Sequence, residues 1–223
     1  MSFNIAIDGP AGAGKSTIAR SAARSLGFLY VDTGAMFRAI ALYLLRHEVN
    51  IQDTDSLLKA LDEIHIRIVY SDGEQQIILN NENVTAYLRD EKVGNMASLS
   101  SAHPKVREKL LQLQRNLADE NDVIMDGRDI GTVVLPKANV KIFLTASAEV
   151  RARRRTDELL AKGQKANYAQ ILKEIQQRDY QDTHREVAPL KMSRDSIKVD
   201  TSELDIDGVI AELKSIIQKK VAQ

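Results

Sequence analysis

The chain of 223 residues contains no cysteine. This absence excludes a disulfide framework, a thiolate metal site and a cysteine nucleophile. It suits a reducing compartment, and we expect a cytoplasmic protein. An excess of charge is also lacking, since 31 basic residues balance 31 acidic ones. Because proteins that grip a nucleic-acid polymer usually carry a basic excess, we expect small anionic ligands and no nucleic-acid partner.

Long hydrophobic runs are absent as well. The most apolar stretch, Ala35 to Leu45, is interrupted by Arg38. It falls short of the roughly 20 apolar residues that a membrane-spanning helix needs. The first residues lack the basic and apolar segments of a signal peptide. We therefore expect no membrane association, one α/β domain with insertions, and a chain that acts as a monomer.

Residues 9–17 match the phosphate-binding loop pattern G-x-x-x-x-G-K-[ST] at each fixed position. They are Gly9, Pro10, Ala11, Gly12, Ala13, Gly14, Lys15, Ser16 and Thr17. The preceding apolar run, 5–7, predicts a strand, and residues 18–26 predict a helix, which is the context that the motif requires. Glycines let backbone N–H groups turn toward an anion, and the helix N-terminus adds positive charge. We expect Lys15 to reach the outer phosphates of ATP and the Ser16 hydroxyl to bind Mg²⁺.

Short apolar runs alternate with helical patterns along most of the chain. The predicted strands are 5–7, 28–31, 123–125, 140–144 and 197–199, and the predicted helices are 15–26, 35–47, 105–118, 147–161, 168–183 and about 206–221. This alternation predicts the α/β class, with a central parallel sheet covered by helices on both faces.

Three predicted strands end in aspartate, at Asp8, Asp32 and Asp126. Ligands of open α/β sheets bind beyond the carboxyl ends of the strands, where carboxylates can hold a metal ion or its waters. Capping of the following helix is the alternative for each. Asp126 is placed as the carboxylate that steadies Mg²⁺, directly or through water. Thr33 can cap the helix that carries Arg38.

The stretch 64–88 interrupts this rhythm. Residues 64–70 largely alternate between apolar and polar, Ser71-Asp72-Gly73 is a turn signal, and a second apolar run follows. The pattern predicts an antiparallel hairpin, inserted against the outside of the main sheet. Asp53-Thr54-Asp55 predicts the start of a short helix that ends near Leu61.

Basic residues crowd the segment after the fourth predicted strand, at Arg151, Arg153, Arg154 and Arg155. A nucleic-acid patch and a solvated helix face are two interpretations. A third is a short lid that closes arginines onto ATP, because phosphoryl transfer spreads negative charge over the moving group. Further along, Arg178, Asp182 and Arg185 share one helical face, where a surface ion pair is the alternative to a binding role.

Together these motifs resemble the bacterial cytidylate kinases, which are nucleoside monophosphate (NMP) kinases. The resemblance is carried by 9–17, 32–38, the insert near 63–100, 126–134 and 185–190. It implies a parallel-sheet core over 1–32 and 102–223, an NMP-binding subdomain with the insert over 33–101, and a short lid over 154–168. One departure is Phe37, where the family usually has tyrosine.

The resemblance also implies roles for individual residues. Lys15, Arg128, Arg154 and Arg155 would be catalytic, the last two as lid arginines over ATP. Ser16 and Asp126 would bind the metal. The implied substrate-binding residues are Thr33, Arg38, Ser98, Arg107, Arg128, Asp129, Arg178, Asp182 and Arg185. Among them, Ser98, Arg107 and Asp129 would face the cytosine, Arg178 and Asp182 the ribose, and Arg38, Arg128 and Arg185 the acceptor phosphate.

The choice of cytosine also has a physical basis. A carboxylate such as Asp129 accepts from the cytosine N4 amino group and repels the O4 of uracil. Ring N3 and O2 need donors, a role open to Arg107 and Ser98. We therefore expect in-line transfer of the γ-phosphoryl group of ATP to CMP and dCMP, with Mg²⁺ as cofactor.

Three alternatives are open from sequence. A UMP or dTMP kinase is the nearest. A GTPase switch is disfavoured because an Asn-Lys-x-Asp guanine-reading motif is missing. A non-catalytic nucleotide-binding regulator would leave the arginine groups beyond the loop without a purpose.

Overall fold

The computed structural model describes residues 2–203 and 206–221. Within them the chain forms eight strands and eight α-helices. The strands are β1 Asn4–Asp8, β2 Leu29–Asp32, β3 Ile66–Ser71, β4 Glu74–Leu79, β5 Glu82–Asn83, β6 Val123–Gly127, β7 Val140–Thr145 and β8 Ile197–Asp200. The helices are α1 Lys15–Leu26, α2 Thr33–Arg46, α3 Thr54–Glu63, α4 Glu91–Ser100, α5 Pro104–Glu120, α6 Ala148–Ala161, α7 Tyr168–His184 and α8 Ile206–Val221.

The main sheet is parallel throughout and has the strand order β2-β6-β1-β7-β8. Successive side chains of a strand point to opposite faces, so the sheet separates two apolar cores. Ile5 and Ile7 of β1 belong to the core beneath α1 and α8, whereas Ala6 belongs to the core shared with α2, α3 and α5. The predicted α/β class, with helices on both faces, is confirmed.

The strand register brings the carboxyl ends of β1, β2 and β6 to one edge. Asp32 lies opposite Asp126, and Asp8 lies opposite Gly127. Since α1 and α2 begin directly beyond this edge, their N-termini and the strand-end carboxylates surround one site.

The insert forms a separate antiparallel sheet in the order β3-β4-β5. Its hairpin turns at Asp72 and Gly73, whose φ angles of 53° and 76° are those of a tight two-residue hairpin turn. The Gln75 side chain accepts from the backbone N–H of Asp32 and donates to its carbonyl. Tyr70 donates to the carbonyl of Tyr30. The insert therefore covers the open edge of β2.

Two local expectations differ from the structure. Asp32, not Thr33, is the N-cap of α2, because its carboxylate accepts from the N–H of Ala35 at 2.9 Å. Thr33 is the first residue of that helix. Helix α4 was not expected at all, since its buried apolar positions, Val93 and Ala97, are few and Gly94 interrupts them.

None of the helices in the described part of the chain combines the length and the apolarity that crossing a membrane requires.

Candidate active site

The phosphate-binding loop connects β1 to α1, as its sequence predicts. Gly9 has a φ of +151°, and a Cβ atom there would lie 1.9 Å from the carbonyl oxygen of Leu144 on β7. The main chain passes so close to β7 that only glycine fits. Gly12 and Gly14 also have positive φ angles, and the resulting curl opens directly into the N-terminus of α1.

Lys15 lies inside this loop and is 6% exposed. Its ammonium donates to the carbonyl of Pro10 at 2.7 Å. Burial, followed by the charge of Arg128, lowers the pKa of Lys15 to about 7. An anion bound in the loop would offset this destabilised positive charge.

Ser16 and Asp126 form the expected pair at the end of β6. The Ser16 hydroxyl donates to Oδ2 of Asp126 at 3.1 Å, and Tyr30 donates to Oδ1 at 2.9 Å. Burial, followed by the charge of Asp32, raises the pKa of Asp126 to about 6. A nearby cation would therefore stabilise the ionised carboxylate.

These oxygens suit magnesium. Mg²⁺ is usually held by one or two protein oxygens together with waters and substrate phosphates. Among the described residues, no group of three or more histidine, cysteine, aspartate or glutamate side chains is placed to hold a metal alone. The residues present fit a metal that arrives with a nucleotide.

The other two strand-end aspartates have structural roles. Asp8 accepts from the N–H groups of Ile130 and Gly131, both at 2.7 Å, and so anchors the π-helical turn over Ile130–Val134. Asp32 caps α2. Of the three carboxylates, Asp126 is the one beside the loop hydroxyl.

Thr33 is buried beside these groups. Its hydroxyl donates to the carbonyl of Asp126 at 2.8 Å. A Cβ on Gly127 would lie 2.8 Å from the hydroxyl oxygen of Thr33, so Thr33 and Gly127 pack closely. The expected substrate contact of Thr33 would use the remaining lone pairs of this hydroxyl.

A cluster of arginines surrounds the carboxylate of Asp182. Arg128 donates to Asp182 at 2.8 Å, and Arg185 approaches Asp182 at 3.9 Å. Burial, then the charge of Arg128, lowers the pKa of Arg178 to about 10, and Arg38 acts in the same direction. Arg128 and Arg185 share the Asp182 carboxylate, and the charges of Arg128 and Arg38 both act on Arg178. The structure therefore brings these four arginines together.

Burial also lowers the pKa of Arg185 to about 10, with the charge of Arg107 as the next cause. The Nε atom of Arg178 is buried and has no hydrogen-bond partner among the described residues. Crowded cations and a buried donor without a hydrogen-bond partner are typical of an anion-binding site.

Asp129 lies next to this cluster and is 4% exposed. Arg107 forms a short ion pair with its Oδ2, and Arg185 lies 3.5 Å from its Oδ1. Arg107 also donates to the carbonyl of Ser101 and lies over the ring of Phe37, 5.1 Å from the centroid. Phe37 thus supports Arg107 through its ring and needs no hydroxyl to do so.

Ser98 lies on α4, at the wall of a cavity of about 310 Å³. The opposite wall belongs to α7, and the full lining is Ser98, Leu99, Ala102, Tyr180, Gln181, Asp182, His184 and Arg185. Leu99 and Tyr180 are 53% and 64% exposed. The cavity therefore opens between the insert-bearing segment and the core.

The two expected lid arginines have protein partners in this structure. Arg154 donates to the hydroxyl and carbonyl of Thr201, beyond β8. Arg155 pairs with Glu158 on its own helix at 2.9 Å. A position over ATP would require both to leave these partners, and this role stays a prediction.

Arg151 is the side chain of the basic run that reaches the loop. It is 4% exposed and donates to the carbonyl of Ala11. The sequence did not single it out, although Arg151, Ala152 and Thr156 form the buried face of α6. The small residues Ala152 and Thr156, four positions apart, indicate this buried face in the sequence, and Arg151 lies beside them.

Comparison with known proteins gives a consistent result. A family model described as "Cytidylate kinase" matches residues 5–219. A cytidylate kinase of Carboxydothermus hydrogenoformans is 49% identical over 218 residues, which are 98% of each chain. One of Caldicellulosiruptor saccharolyticus is 47% identical over 98% of this chain and 97% of its own. In fold, the chain is similar to a crystal structure titled as an uncharacterized protein from Eubacterium ventriosum, with a TM-score of 0.53, 12% identity and full coverage of both chains.

Proposed function

The chain belongs to the cytidylate kinase family and transfers the γ-phosphoryl group of ATP to CMP and dCMP, and we propose that the cleft between Lys15 and the arginine cluster is where this transfer occurs. One observation carries the proposal. Ser16 of the loop donates to Asp126 at 3.1 Å. Arg128, two residues beyond Asp126, donates to Asp182 at 2.8 Å, so the loop and the acceptor-side arginines border the same space.

On the donor side, the loop would bind the phosphates of ATP through its backbone N–H groups and Lys15. Ser16 and Asp126 would hold Mg²⁺ together with phosphate oxygens and water. The metal, when bound, would neutralise charge that develops on the β- and γ-phosphates. Tyr30 supports this assignment because its hydroxyl orients Asp126.

On the acceptor side, Arg38, Arg128 and Arg185 would bind the phosphate of CMP. The acceptor oxygen is already anionic near neutral pH, so the cleft needs no strong general base. Catalysis would come from alignment and from neutralising the repulsion between two anions. Arg178 and Asp182 would bind the ribose, and the unpartnered Nε of Arg178 supports a ligand contact there.

The base would be recognised by Ser98, Arg107 and Asp129. Asp129 is fixed by Arg107 and Arg185, so its position does not depend on the ligand. A fixed, buried carboxylate supports selection of the cytosine N4 amino group over the uracil O4.

We also propose that residues 33–101 close toward the core over 1–32 and 102–223 when CMP binds, and that 154–168 acts as the lid over ATP. The open cavity and the exposed apolar side chains of Leu99 and Tyr180 on its walls support closure. Closure would exclude water that otherwise hydrolyses ATP.

We also propose that the chain acts as a monomer; light scattering after size-exclusion chromatography tests this. A cytoplasmic location stays a prediction.

Steady-state rates with CMP, dCMP, UMP, AMP and dTMP, each with ATP and Mg²⁺, test the function. We expect CMP and dCMP to be phosphorylated with kcat/KM at least about 10²-fold above the others. Faster turnover of UMP or dTMP would contradict the assigned base contacts, and ATP consumption without a diphosphate product would contradict the transfer itself.

A further inference from the structure

Arg151 differs from the other arginines of its helix in being buried. Arg153, Arg154 and Arg155 on the same stretch of α6 are exposed, whereas Arg151 is 4% exposed. Burying a guanidinium is costly unless it is well paired. Its retention on the inner face of α6 calls for a role that an apolar side chain would not fill.

The contacts of Arg151 join three parts of the molecule. Its Nε donates to the carbonyl of Ala146, just after β7, at 2.9 Å. Its Nη1 donates to the carbonyl of Ala11 in the phosphate-binding loop at 3.0 Å. Its two terminal nitrogens pair with the two carboxylate oxygens of Asp179 on α7, at 3.0 and 2.5 Å.

The aliphatic part of the side chain also lies near the loop. A Cβ on Gly12 would lie 3.5 Å from the Cβ of Arg151, which is ordinary van der Waals contact. Arg151 thus lies beneath the loop at both Ala11 and Gly12.

Asp179 links this support to the acceptor side. It directly follows Arg178, which belongs to the arginine cluster, and lies one helical turn before Asp182, which pairs with that cluster. One ion pair therefore connects the loop that would bind the donor phosphates to the helix that would bind the acceptor nucleotide. In an in-line transfer, a displacement of about 1 Å between the two can cost about 10²-fold in rate.

We propose that Arg151 is a positioning residue, which, through Asp179, holds the phosphate-binding loop at the correct distance from α7. The inference rests on the proposed transfer site and goes beyond it, because Arg151 acts through its protein contacts and touches neither nucleotide. The planar fork of arginine is essential to this role, since the three donors of a lysine ammonium cannot replace the four hydrogen bonds that Arg151 makes.

Steady-state kinetics of Arg151→Lys, Asp179→Asn and the double variant test the proposal. We expect kcat to fall about 10- to 100-fold in Arg151→Lys and about 10-fold in Asp179→Asn. The double variant should be no slower than Arg151→Lys, because both changes break one connection. The KM for CMP should stay within about threefold of wild type. Glu149→Gln, which removes an exposed charge from the same helix, should leave kcat unchanged.

Thermal unfolding of each variant accompanies the kinetics, which are measured well below every midpoint so that lost stability does not lower kcat. Wild-type kcat in Asp179→Asn would overturn the proposal, and this single result decides it even where Arg151→Lys fails to fold. A severe loss in Arg151→Lys alone would instead assign Arg151 a direct contact with ATP. Failure of the wild-type enzyme to phosphorylate CMP would refute the proposed function, which is a different result from equal rates in wild type and Asp179→Asn.

Discussion

Replacing Asp129 with asparagine should reduce the preference for CMP over UMP by about 30- to 1,000-fold. In the structure this carboxylate is 4% exposed, and Arg107 and Arg185 occupy its two oxygens from the protein side. It cannot turn to suit a different base. The amide of asparagine is close in shape but carries a donor where the carboxylate has only acceptors.

The magnitude follows from two effects on the ratio. A well-placed contact to a base edge is worth about 1–3 kcal/mol, which CMP would lose. UMP would gain a comparable, smaller amount, because its O4 no longer faces a negative charge. A combined change of about 2–4 kcal/mol corresponds to the stated range at 1.4 kcal/mol per tenfold.

Stability changes as well, because asparagine is neutral and both arginines lose their charged partner. Breaking a buried ion pair costs about 3–5 kcal/mol, although the remaining carbonyl of asparagine keeps part of the interaction. At about 2–4 °C per kcal/mol for a chain of this size, we expect the midpoint of unfolding to fall by several degrees.

The assay is the kcat/KM for CMP and for UMP, measured on one preparation. Because the ratio cancels the folded fraction, it isolates base recognition. Asp182→Asn is the matched control, since Asp182 is a buried carboxylate paired with arginines but assigned to the ribose. It should slow both substrates without changing their ratio. A ratio in Asp129→Asn within threefold of wild type, or an equal shift in the control, would refute the reasoning.

Three further predictions follow from burial and backbone geometry. Lys15→Ala should lower kcat by at least about 10²–10³-fold with little loss of stability in calorimetry, because its buried charge opposes folding; turnover near wild type would exclude its role. Gly9→Ala should prevent folding or lower the unfolding midpoint far more than Gly27→Ala, which shares a positive φ angle but has no atom within 4 Å of the added Cβ; equal midpoints would contradict the close approach to β7. Burial alone would raise the pKa of Asp182, but the adjacent Arg128 holds it below its usual range. The contribution of the ionised Asp182 to the stability of the fold is therefore present above about pH 4 and is lost as the pH falls further. Acid titration of unfolding should therefore be shallower for Asp182→Asn than for wild type, and parallel curves would contradict the pairing.

Local patterns predicted the elements of this fold well. The strand and helix runs, the Asp72-Gly73 hairpin and the phosphate-binding loop depend on contacts within a few residues, so their signals are complete in the local sequence. Helix α4 was not predicted because it is short and its burial comes from packing on α2. The prediction of Thr33 as the N-cap of α2 was wrong because aspartate and threonine are both good N-caps. The point at which β2 ends decides between Asp32 and Thr33.

The members of the arginine cluster were predicted, but not from local patterns. That Arg38, Arg128 and Arg185 belong to one site was predicted from a resemblance, since they come from segments distant in the chain. The crowding of Arg128 and Arg185 around Asp129 and Asp182 follows from the tertiary fold, in which the parallel sheet directs the ends of its strands to one edge.

The sequence by itself predicted a phosphate-binding site after β1, because glycine, lysine and serine at fixed spacing create the loop, its charge and its hydroxyl within nine residues. Only the tertiary structure decided which arginines face that loop. In the run 151–155, arginines point in most directions around the helix, and packing of α6 against Ala11 and Asp179 buries Arg151 alone of the four. A helix sequence contains its faces, but the fold chooses which face lies inside.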